Sequence, residues 1–513
     1  MTDSASRSHS GPGFDPARRL PPVHRVLAEP IWVRPEALAI PPTLRTAAIR
    51  QELEALRTRL RAGNDGANPV AEHEIQPVWI AQRAWDRLER RGSQLEVSHP
   101  ILRPVLNASG VLLHTGLGRA PLAAEAIAAI ARTAGTGCDL EFDLVEGRRG
   151  ERGQRIAALI NRLTGAEASL VVNNNAAATI LTLGALAKDR EVIVSRGQLV
   201  EIGGAFRLPE IFEVSGARLV EVGTTNKTRL SDYERAITER TAGLLRVHTG
   251  NYQIVGFTET VGIAELAELG RSRGIWTIDD IGSGRLNRHL PPGLPQDCEE
   301  PTLCGSLQDG ADLVLCSTDK LLGGPQGGLV VGRANLVERL KRHPLARAFR
   351  VDKLTLAALE ATLDLIALWG PSAPIPLWRF LSVEPSLIKR SAEALAHAWA
   401  AHPGWVVTVE PDRVQVGGGS LPGWELPSWS VVIARERSSS SEVEALAQAL
   451  RRGTPAVLGR VRRGRLWLNP HGLSESEQVI LRDVVAKVAV GDGAELAKPG
   501  DSDRHSGFGW TSA

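Results

Sequence analysis

The sequence is poor in cysteine, in lysine and in long apolar runs. Its four cysteines show no CxxC spacing, which predicts neither a zinc site nor a disulfide framework and favours a reducing compartment; they are Cys138, Cys298, Cys304 and Cys316. No apolar run reaches the roughly 18 residues of a membrane span. The polar N-terminus also lacks the apolar region of a signal peptide. We therefore expect a cytoplasmic protein without a membrane anchor.

The remaining composition is that of a globular protein. The 513 residues are 43% apolar and 23% charged, which leaves room for two or three domains. A net charge of +2 neither predicts nor excludes nucleic acid. Residues 1–103 contain 15 arginines, no lysine and 12 acidic residues, a modest positive balance that falls short of a basic stripe.

One lysine stands out because most of the 60 basic residues are arginines. The stretch around it, ADLVLCSTDKLLGGPQGGLVVG, predicts a strand, a tight exposed loop that carries Lys320, and a second strand. Small neighbours at a strand end let a flat cofactor approach the backbone, which suits a lysine that forms a Schiff base. The alternative, from this loop alone, is a solvated lysine in a β-hairpin.

Strands and helices alternate upstream of this lysine. Repeated βα units predict an α/β body with a mostly parallel sheet and helices on both faces. Ligands of such sheets bind at the carboxyl ends of the strands. Polar clusters follow the predicted strands at these ends: Asn173–Asn175, Thr224–Asn226, His248–Asn251, Asp279–Asp280 and Lys320.

These residues together predict a pyridoxal phosphate enzyme. Lys320 would hold the aldehyde as an imine, and an aspartate would keep the ring nitrogen protonated. We choose Asp279 for the ring nitrogen because it is the first acidic residue after the apolar strand IWTI, with Asp280 as the rival and a capping aspartate as the alternative. Free N–H groups at a helix start suit a phosphate. The candidates for the phosphate are Asn174, Asn175, Ala176 and Ser317.

Two further segments of the sequence carry arginines that could bind an anion. The loop EGRRGERGQR suits anion binding through two-pronged guanidinium contacts, the alternative being a solvated charged turn. From Ala346 the pattern predicts one long helix that opens with Arg347 and Arg350.

The predicted divisions are a disordered tail (1–16), a helical N-terminal domain (17–97), a catalytic large domain (98–350), a linker helix with a small α+β domain (351–490) and a disordered tail (491–513). Helical patterning alone would equally suit an oligomerisation arm.

Eight separated motifs make the sequence similar to the bacterial selenocysteine synthases, the L-seryl-tRNA(Sec) selenium transferases. In chain order they are NASGVLLHTGLGRAPL, EGRRGERGQR, SRGQLVEIGGAFRLPEI, EVGTTNKT, RVHTGNYQIVGFTE, DDIGSG, STDKLLGGPQGGLVVG and HPLARAFRVDKLTLAALEATL. The resemblance covers roughly residues 17–485. Departures are small, such as HTGLG, with Gly116, where the family has HTNLG, and none removes a charged or imine-forming group.

The resemblance implies a fold-type-I pyridoxal phosphate transferase. It implies conversion of seryl-tRNA(Sec) to selenocysteinyl-tRNA(Sec) with selenophosphate, through an aminoacrylyl-tRNA held on the cofactor. Lys320 would form the imine and, once freed, take the Cα proton. The resemblance assigns Arg119, Arg152, Arg347 and Arg350 to selenophosphate binding or substrate steering, and Thr224, Thr225, Asn251 and Asp319 to other active-site positions.

The resemblance also implies partners. The N-terminal domain would grip the tRNA, with Arg18, Arg19 and Arg25 as candidate phosphate contacts. The subunits would form a decamer, a pentamer of dimers, in which arginines of one subunit complete a neighbour's site. Two rival functions stay open: a pyridoxal phosphate lyase that acts on a free amino acid without tRNA, and a non-catalytic tRNA-binding scaffold.

Overall fold

The chain forms two compact units, residues 1–103 and 104–513. The computed structural model describes residues 19–38, 40–61, 70–93, 102–202, 206–294, 298–400, 404–435 and 440–490. The predicted disordered tails, and Arg18 with them, lie outside the described residues. The predicted domain boundaries therefore stay predictions. The fold of each part is described below.

The first unit is helical, as the sequence predicts. Its α-helices are α1 (Val23–Leu27), α2 (Pro35–Leu38), α3 (Pro42–Arg61) and α4 (Pro77–Ser93). Three of the four begin at a proline, whose missing N–H costs nothing in the first turn. Apolar side chains of α3 at helical spacing, including Ile49 and Leu53, pack with Ile80 and Trp85 of α4. A 3₁₀ turn at Glu72–Ile75 precedes α4.

The second unit contains a large central sheet and a smaller one. Its strands are β1 (Val105–Asn107), β2 (Phe142–Asp143), β3 (Arg148–Arg149), β4 (Ala168–Val172), β5 (Glu191–Ser195), β6 (Glu201–Ile202), β7 (Phe206–Arg207), β8 (Arg218–Val222), β9 (Thr241–Val247), β10 (Trp276–Gly282), β11 (Leu313–Ser317), β12 (Gly328–Gly332), β13 (Trp405–Gly417), β14 (Ser420–Arg435), β15 (Ala456–Leu458), β16 (Arg460–Arg462) and β17 (Arg465–Leu468). Its helices are α5 (Ala124–Ala134), α6 (Gln154–Thr164), α7 (Asn175–Ala187), α8 (Leu208–Ser215), α9 (Leu230–Ala236), α10 (Ile263–Arg273), α11 (Leu303–Gln308), α12 (Ala334–Arg342), α13 (Pro344–Ala348), α14 (Lys353–Trp369), α15 (Pro376–Ser382), α16 (Pro385–Trp399), α17 (Ser440–Arg452) and α18 (Glu475–Val490).

The central sheet has seven strands in the order β4-β12-β11-β10-β9-β5-β8. All pairs are parallel except those of β12, which runs antiparallel to both of its neighbours. Alternate residues of β11 enter two different cores: Leu313 and Leu315 on one face, Val314 and Cys316 on the other. Helices thus cover both faces, and the predicted mostly parallel α/β body is confirmed.

The long helix predicted from Ala346 is wrong. The segment forms two helices, α13 and α14, with Phe349–Asp352 between them. The Asp352 side chain accepts hydrogen bonds from the N–H groups of Leu354 and Thr355, which makes it the N-cap of a new helix. Arg350 therefore lies in the break, where it forms an antiparallel bridge with Val172 at the end of β4.

The smaller sheet is antiparallel, in the order β13-β14-β17-β16. Helices α16, α17 and α18 cover one of its faces, with Trp399, Leu446 and Leu481 in their shared core. This is the α+β arrangement that the sequence predicts. Strands β13 and β14 form a long hairpin, and Val414 and Val416 near its end join the core of the central sheet.

One segment is apolar and long enough to cross a membrane. Among the described residues, Lys353–Ser382 meets that criterion by length and composition. It consists of α14, a 3₁₀ turn and α15. Leu356, Leu359 and Leu363 of α14 are buried in the core beside the central sheet. A core helix explains its composition without a membrane.

Candidate active site

Lys320 is buried at the carboxyl end of β11, near Arg119, Asp280 and Asp319. We call this group of residues the lysine chamber. The side chain is only 4% exposed. Its Nζ donates a hydrogen bond to the carbonyl oxygen of Gly419, 3.3 Å away. A Cβ on Gly419 would come within 3.3 Å of that nitrogen, and one on Gly282 within 3.9 Å. The two glycines thus leave room beside the amine that any other residue would fill.

The prediction of an exposed loop around Lys320 is wrong. Residues 311–324 are all buried. Leu321 and Leu322 join the core beside the central sheet, and the carbonyl of Gly419 in the β13–β14 hairpin contacts Lys320. Burial disfavours the charged amine and lowers its pKa, and the nearby Arg119 adds to that effect. Asp319, Asp280 and Glu300 act in the opposite direction. A lysine with a lowered pKa keeps a larger share of neutral, nucleophilic amine.

The two neighbouring aspartates of β10 face opposite sides of the sheet. Asp279 is fully buried and receives two hydrogen bonds from Arg246 of β9, at 2.7 and 2.5 Å. Asp280 points toward α7, where Asn175 Nδ2 donates to it at 2.8 Å and Thr179 Oγ1 at 3.1 Å. The alternation of side chains along a strand explains the separation.

This geometry favours Asp280 over Asp279, our choice from the sequence, for the ring nitrogen. Asp279 already has a cationic partner in Arg246. Within the described part of the chain, Asp280 has only neutral hydrogen-bond partners, and its charge acts on Lys320. Burial raises the pKa of Asp280, against the hydrogen bonds from Asn175 and Thr179. A protonated ring nitrogen would supply the positive partner that this buried carboxylate needs.

The start of α7 lies beside Asp280 and carries the predicted phosphate candidates. Asn174 is the N-cap, and its Oδ1 accepts from Ala177 N–H at 2.8 Å. Asn175 and Ala176 begin the first turn, where backbone N–H groups have no partner within the helix. Ser317 ends β11, three residues before Lys320, and is 7% exposed. The structure thus brings Asn175 to Asp280 directly and places the other candidates at the same edge of the sheet.

Arg119 and Asp319 form an ion pair next to Lys320. Arg119 Nη1 lies 2.8 Å from Asp319 Oδ2, although the two residues are 200 positions apart. The Arg119 backbone is left-handed, with φ of 63°, which is uncommon for a residue with a side chain. The other carboxylate oxygen, Asp319 Oδ1, is buried without a hydrogen-bond partner among the described residues. The resemblance-based placement of both residues near the lysine agrees with this geometry.

Three arginines surround one carboxylate, Glu141. Arg149, Arg152 and Arg350 each place a guanidinium nitrogen 2.9–3.1 Å from its oxygens. Hydrogen bonds from Arg152 and Arg149 lower the pKa of Glu141, so the carboxylate is ionised. Phe349 O accepts from the N–H of Asn173 at 3.0 Å, which holds this cluster beside the start of α7. We call Glu141, Arg149, Arg152 and Arg350 the arginine cluster.

The remaining predicted site residues lie at the surface. Arg347 is exposed on α13 and has no ion pair in the part of the chain that the structure describes. Thr224, Thr225 and Asn251 are exposed in the loops that follow β8 and β9. The structure does not bring these four residues into contact with Lys320.

One large cavity has no lining from Lys320. It measures about 870 Å³, and Thr225, Asn226, His248, Glu300 and Leu421 are among the residues that line it. His248 N–H donates to the backbone oxygen of Asp280 at 2.9 Å, so the cavity adjoins the lysine chamber. We place the chemistry at Lys320, because the titratable groups converge there, and regard the cavity as the space in front of it.

The comparison with known proteins decides the family. The family profile of L-seryl-tRNA selenium transferases (SelA) matches residues 105–474. The chain belongs to this family. It is 44% identical over 449 residues to the L-seryl-tRNA(Sec) selenium transferase of Carboxydothermus hydrogenoformans, covering 87% of this chain and 92% of that protein. It is 42% identical over 475 residues to the enzyme of that name from Solidesulfovibrio magneticus, covering 92% and 97%.

A solved structure supports the fold. D-glucosaminate-6-phosphate ammonia-lyase superposes with a TM-score of 0.53 at 22% identity, covering 76% of this chain and 96% of that one. At this identity the likeness concerns the fold alone. The fold class predicted from the sequence, that of the fold-type-I pyridoxal phosphate transferases, is confirmed, and so is the resemblance to the selenium transferase family.

Sequence reasoning missed four residues of the site. Thr179 follows Asn175 by one helical turn, so helical spacing would have found it. Arg246 is a charged residue inside the apolar strand LLRV, and this break in the apolar pattern would also have identified it. Glu141 and Glu300 carry no comparable signal. Arg350 lies 209 positions from Glu141, and Leu421 lies 121 positions from Glu300.

Proposed function

We propose that this protein converts L-seryl-tRNA(Sec) into L-selenocysteinyl-tRNA(Sec), with pyridoxal 5′-phosphate as cofactor and selenophosphate as selenium donor. One observation carries the proposal: a buried lysine with a lowered pKa lies beside the Asp280 carboxylate, in a chain that belongs to the selenium transferase family. Lysine, carboxylate and helix start come from three different elements that meet at one edge of the sheet.

The residues present fit pyridoxal phosphate. Asn175 Oδ1 is buried without a partner among the described residues, and Gly282 and Gly419 leave space next to Lys320 Nζ. The N–H groups of Asn175 and Ala176, with Ser317, would hold the phosphate, and Asp280 would hold the proton on the ring nitrogen. When bound, the cofactor supplies an electron-withdrawing ring that stabilises negative charge at the serine Cα.

Lys320 moves the proton. Its Nζ takes the proton from the serine Cα, and the lowered pKa makes the neutral amine available for that step. Asp319 keeps Arg119 oriented toward the chamber through the 2.8 Å ion pair. A guanidinium there favours the developing negative charge of the departing β-hydroxyl.

The arginine cluster would bind the selenium donor. Selenophosphate is a small, highly charged anion, and guanidinium groups bind such groups with paired hydrogen bonds. Arg152 and Arg350 meet at Glu141 next to the start of α7, so a donor bound there would face the chamber. Arg347 on the adjoining helix would extend the positive surface toward solvent.

The helical N-terminal unit would bind the tRNA. Arg25, Arg34 and Arg50 are exposed and form no ion pair within the described residues, which leaves them available for phosphates. Arg19 is paired with Glu72, so it would have to exchange that partner. Deleting residues 1–97 should weaken tRNA binding without changing cofactor binding, as gel shift and cofactor titration would report. Unchanged tRNA affinity would contradict this assignment.

Assembly into a ring of dimers and a cytoplasmic location also belong to this proposal. The β2–β3 hairpin exposes Phe142, Leu144 and Val145, an apolar surface that a second copy of the chain would cover. The lyase rival is not favoured, because the ammonia-lyase likeness concerns the fold alone. The scaffold rival is not favoured either, because the imine-forming lysine and its aspartate are both in place.

An absorbance spectrum of the purified protein tests the core of the proposal. We expect an imine band that borohydride abolishes, with the cofactor then found on the Lys320 peptide by mass spectrometry. Seryl-tRNA(Sec) and labelled selenophosphate should give selenocysteinyl-tRNA. Trapping on Lys320 without that product would favour the free amino acid lyase. No trapping after added pyridoxal phosphate would favour the scaffold.

A further inference from the structure

The tip of the β13–β14 hairpin forms the roof over Lys320. We call residues 417–421 the hairpin tip. Its Gly419 carbonyl is the acceptor for Lys320 Nζ. Three glycines in succession have positive φ, between 65° and 75°, so the chain turns where side chains would not fit. A Cβ on Gly250 would overlap the Gly419 carbonyl oxygen, which shows how closely the tip packs on the loop after β9.

A buried carboxylate anchors the far end of this tip. Glu300 is 6% exposed, and its Oε2 accepts from the Leu421 N–H at 3.1 Å and lies 3.1 Å from His248 Nε2. Burial raises the pKa of Glu300, but the bonds from His248 and Leu421 outweigh it and the net pKa is lowered. The backbone N–H of His248 in turn donates to the backbone carbonyl oxygen of Asp280. One ionised side chain therefore ties the tip to the ends of β9 and β10.

The residues directly before the hairpin tip have separate support. Leu112 N–H donates to Gln415 at 3.0 Å, and Leu113 N–H donates to Val416 at 2.7 Å. Glu300 takes no part in either bond. Loss of the Glu300 contact would therefore release the tip alone and leave the hairpin attached.

We propose that Glu300 is a positioning residue for Lys320: with His248 it holds the hairpin tip so that the Gly419 carbonyl orients the lysine amine. An amine that donates one N–H to a fixed carbonyl keeps its lone pair free and aimed in one direction. The smaller sheet thereby contributes to a site whose other groups come from the central sheet. The inference rests on the proposed function only in taking Lys320 as the imine-forming residue.

The test measures the accessibility of Lys320 in the full-length apoenzyme. Wild type, Glu300→Ala and Glu300→Gln are pulsed with formaldehyde and cyanoborohydride, and methylation of Lys320 is compared with that of the partly exposed Lys341 by mass spectrometry. Amide exchange at Leu421 is followed in parallel. Glu299→Gln is the matched control, because it removes the neighbouring charge without touching the Leu421 N–H.

We expect Glu300→Ala to raise the relative methylation rate of Lys320 about tenfold, since losing a buried charge-assisted hydrogen bond favours local opening by roughly that factor. Exchange at Leu421 should rise with it, while amides of β10 stay protected. Glu300→Gln keeps an acceptor oxygen for Leu421, so it should give a smaller increase, and it provides a second variant if the alanine substitution prevents folding. Glu299→Gln should match wild type.

Three different results would overturn the inference. Wild-type methylation and exchange rates in both Glu300 variants, with borohydride trapping on Lys320 intact, would refute the positioning role alone. Failure of wild type to trap pyridoxal phosphate on Lys320 would refute the inference together with the proposed function. A general loosening, with β10 exchanging as fast as Leu421, would also count against a local role for Glu300.

Discussion

The lysine chamber and the arginine cluster lie at the same edge of one sheet but have opposite environments. Lys320 and Asp280 are both at most 5% exposed, and neutral groups make most of their hydrogen bonds. In the arginine cluster, the Arg152 and Arg350 side chains are 18% and 35% exposed and meet an ionised carboxylate. Proton removal from carbon needs a dry site with a neutral amine, whereas capture of a charged donor needs cations that solvent can reach.

The largest expected effect comes from the chamber. Lys320→Ala should abolish borohydride trapping and all turnover, because it removes the amine that would form the imine. The fold should survive, since among the described residues the side chain of Lys320 makes one hydrogen bond, of 3.3 Å. Peptide mapping, selenium incorporation and thermal melting are the measurements. Lys341→Ala, which removes a lysine bound only loosely to Glu151 at 3.7 Å, is the control and should behave as wild type. Residual turnover in Lys320→Ala would refute the mechanism.

The second prediction separates the two neighbouring aspartates. Asp280→Asn should lower kcat about a hundredfold, the order reported for losing a charge-stabilising group in an active site, and should change the spectrum of the bound cofactor. Asp279→Asn should leave that spectrum unchanged but cost about 3 kcal/mol of stability, because the partly buried Arg246 loses its carboxylate. Denaturant unfolding and cofactor absorbance measure the pair. If Asp279→Asn instead lowered kcat and changed the cofactor spectrum, Asp279 would be the residue at the ring nitrogen.

The third prediction concerns the arginine cluster. Arg152→Ala and Arg350→Ala should raise the KM for selenophosphate about tenfold and leave the KM for seryl-tRNA unchanged. The effect should weaken at high salt, since exposed charges are screened. Arg155→Ala is the matched control, because Arg155 belongs to the same motif but pairs with Glu360 and Asp364. Equal changes in both KM values would argue against a separate donor site.

The smallest expected effect is a pH dependence at Glu141. Its pKa is lowered in the folded protein, so its contribution to stability is complete above the unfolded pKa, near 4.3. That contribution is lost as the pH falls through the lower folded value. Glu141→Gln should therefore lower the free energy of unfolding at pH 7 by less than about 1 kcal/mol, which a slightly lower Tm would report. The difference from wild type should shrink below about pH 4. Glu146→Gln in the same hairpin is the control. A difference that grows with acidification would contradict the sign.

The sequence predicted the parts of the site that are local. Lys320 follows an apolar strand and precedes glycines, and α7 begins where the asparagines end the strand before it. The alternating strands and helices also predicted the mostly parallel sheet, because period-2 and period-3.6 patterns depend only on nearby residues. The long helix predicted from Ala346 failed for a local reason as well: Asp352 is an N-cap inside a pattern that reads as continuous.

The sequence by itself determined the family and the sheet, and it singled out Lys320 as the candidate for the imine. Only the tertiary structure decided which aspartate faces that lysine, that the lysine is buried, and which carboxylates hold the surrounding groups. Asp279 and Asp280 are equivalent until Arg246 and Asn175 are brought to opposite faces of β10. The roof over Lys320 comes from Gly419, 99 positions away. Burial and hydrogen bonding are properties of the assembled chain, so contacts between residues this far apart leave no periodic pattern to predict them from.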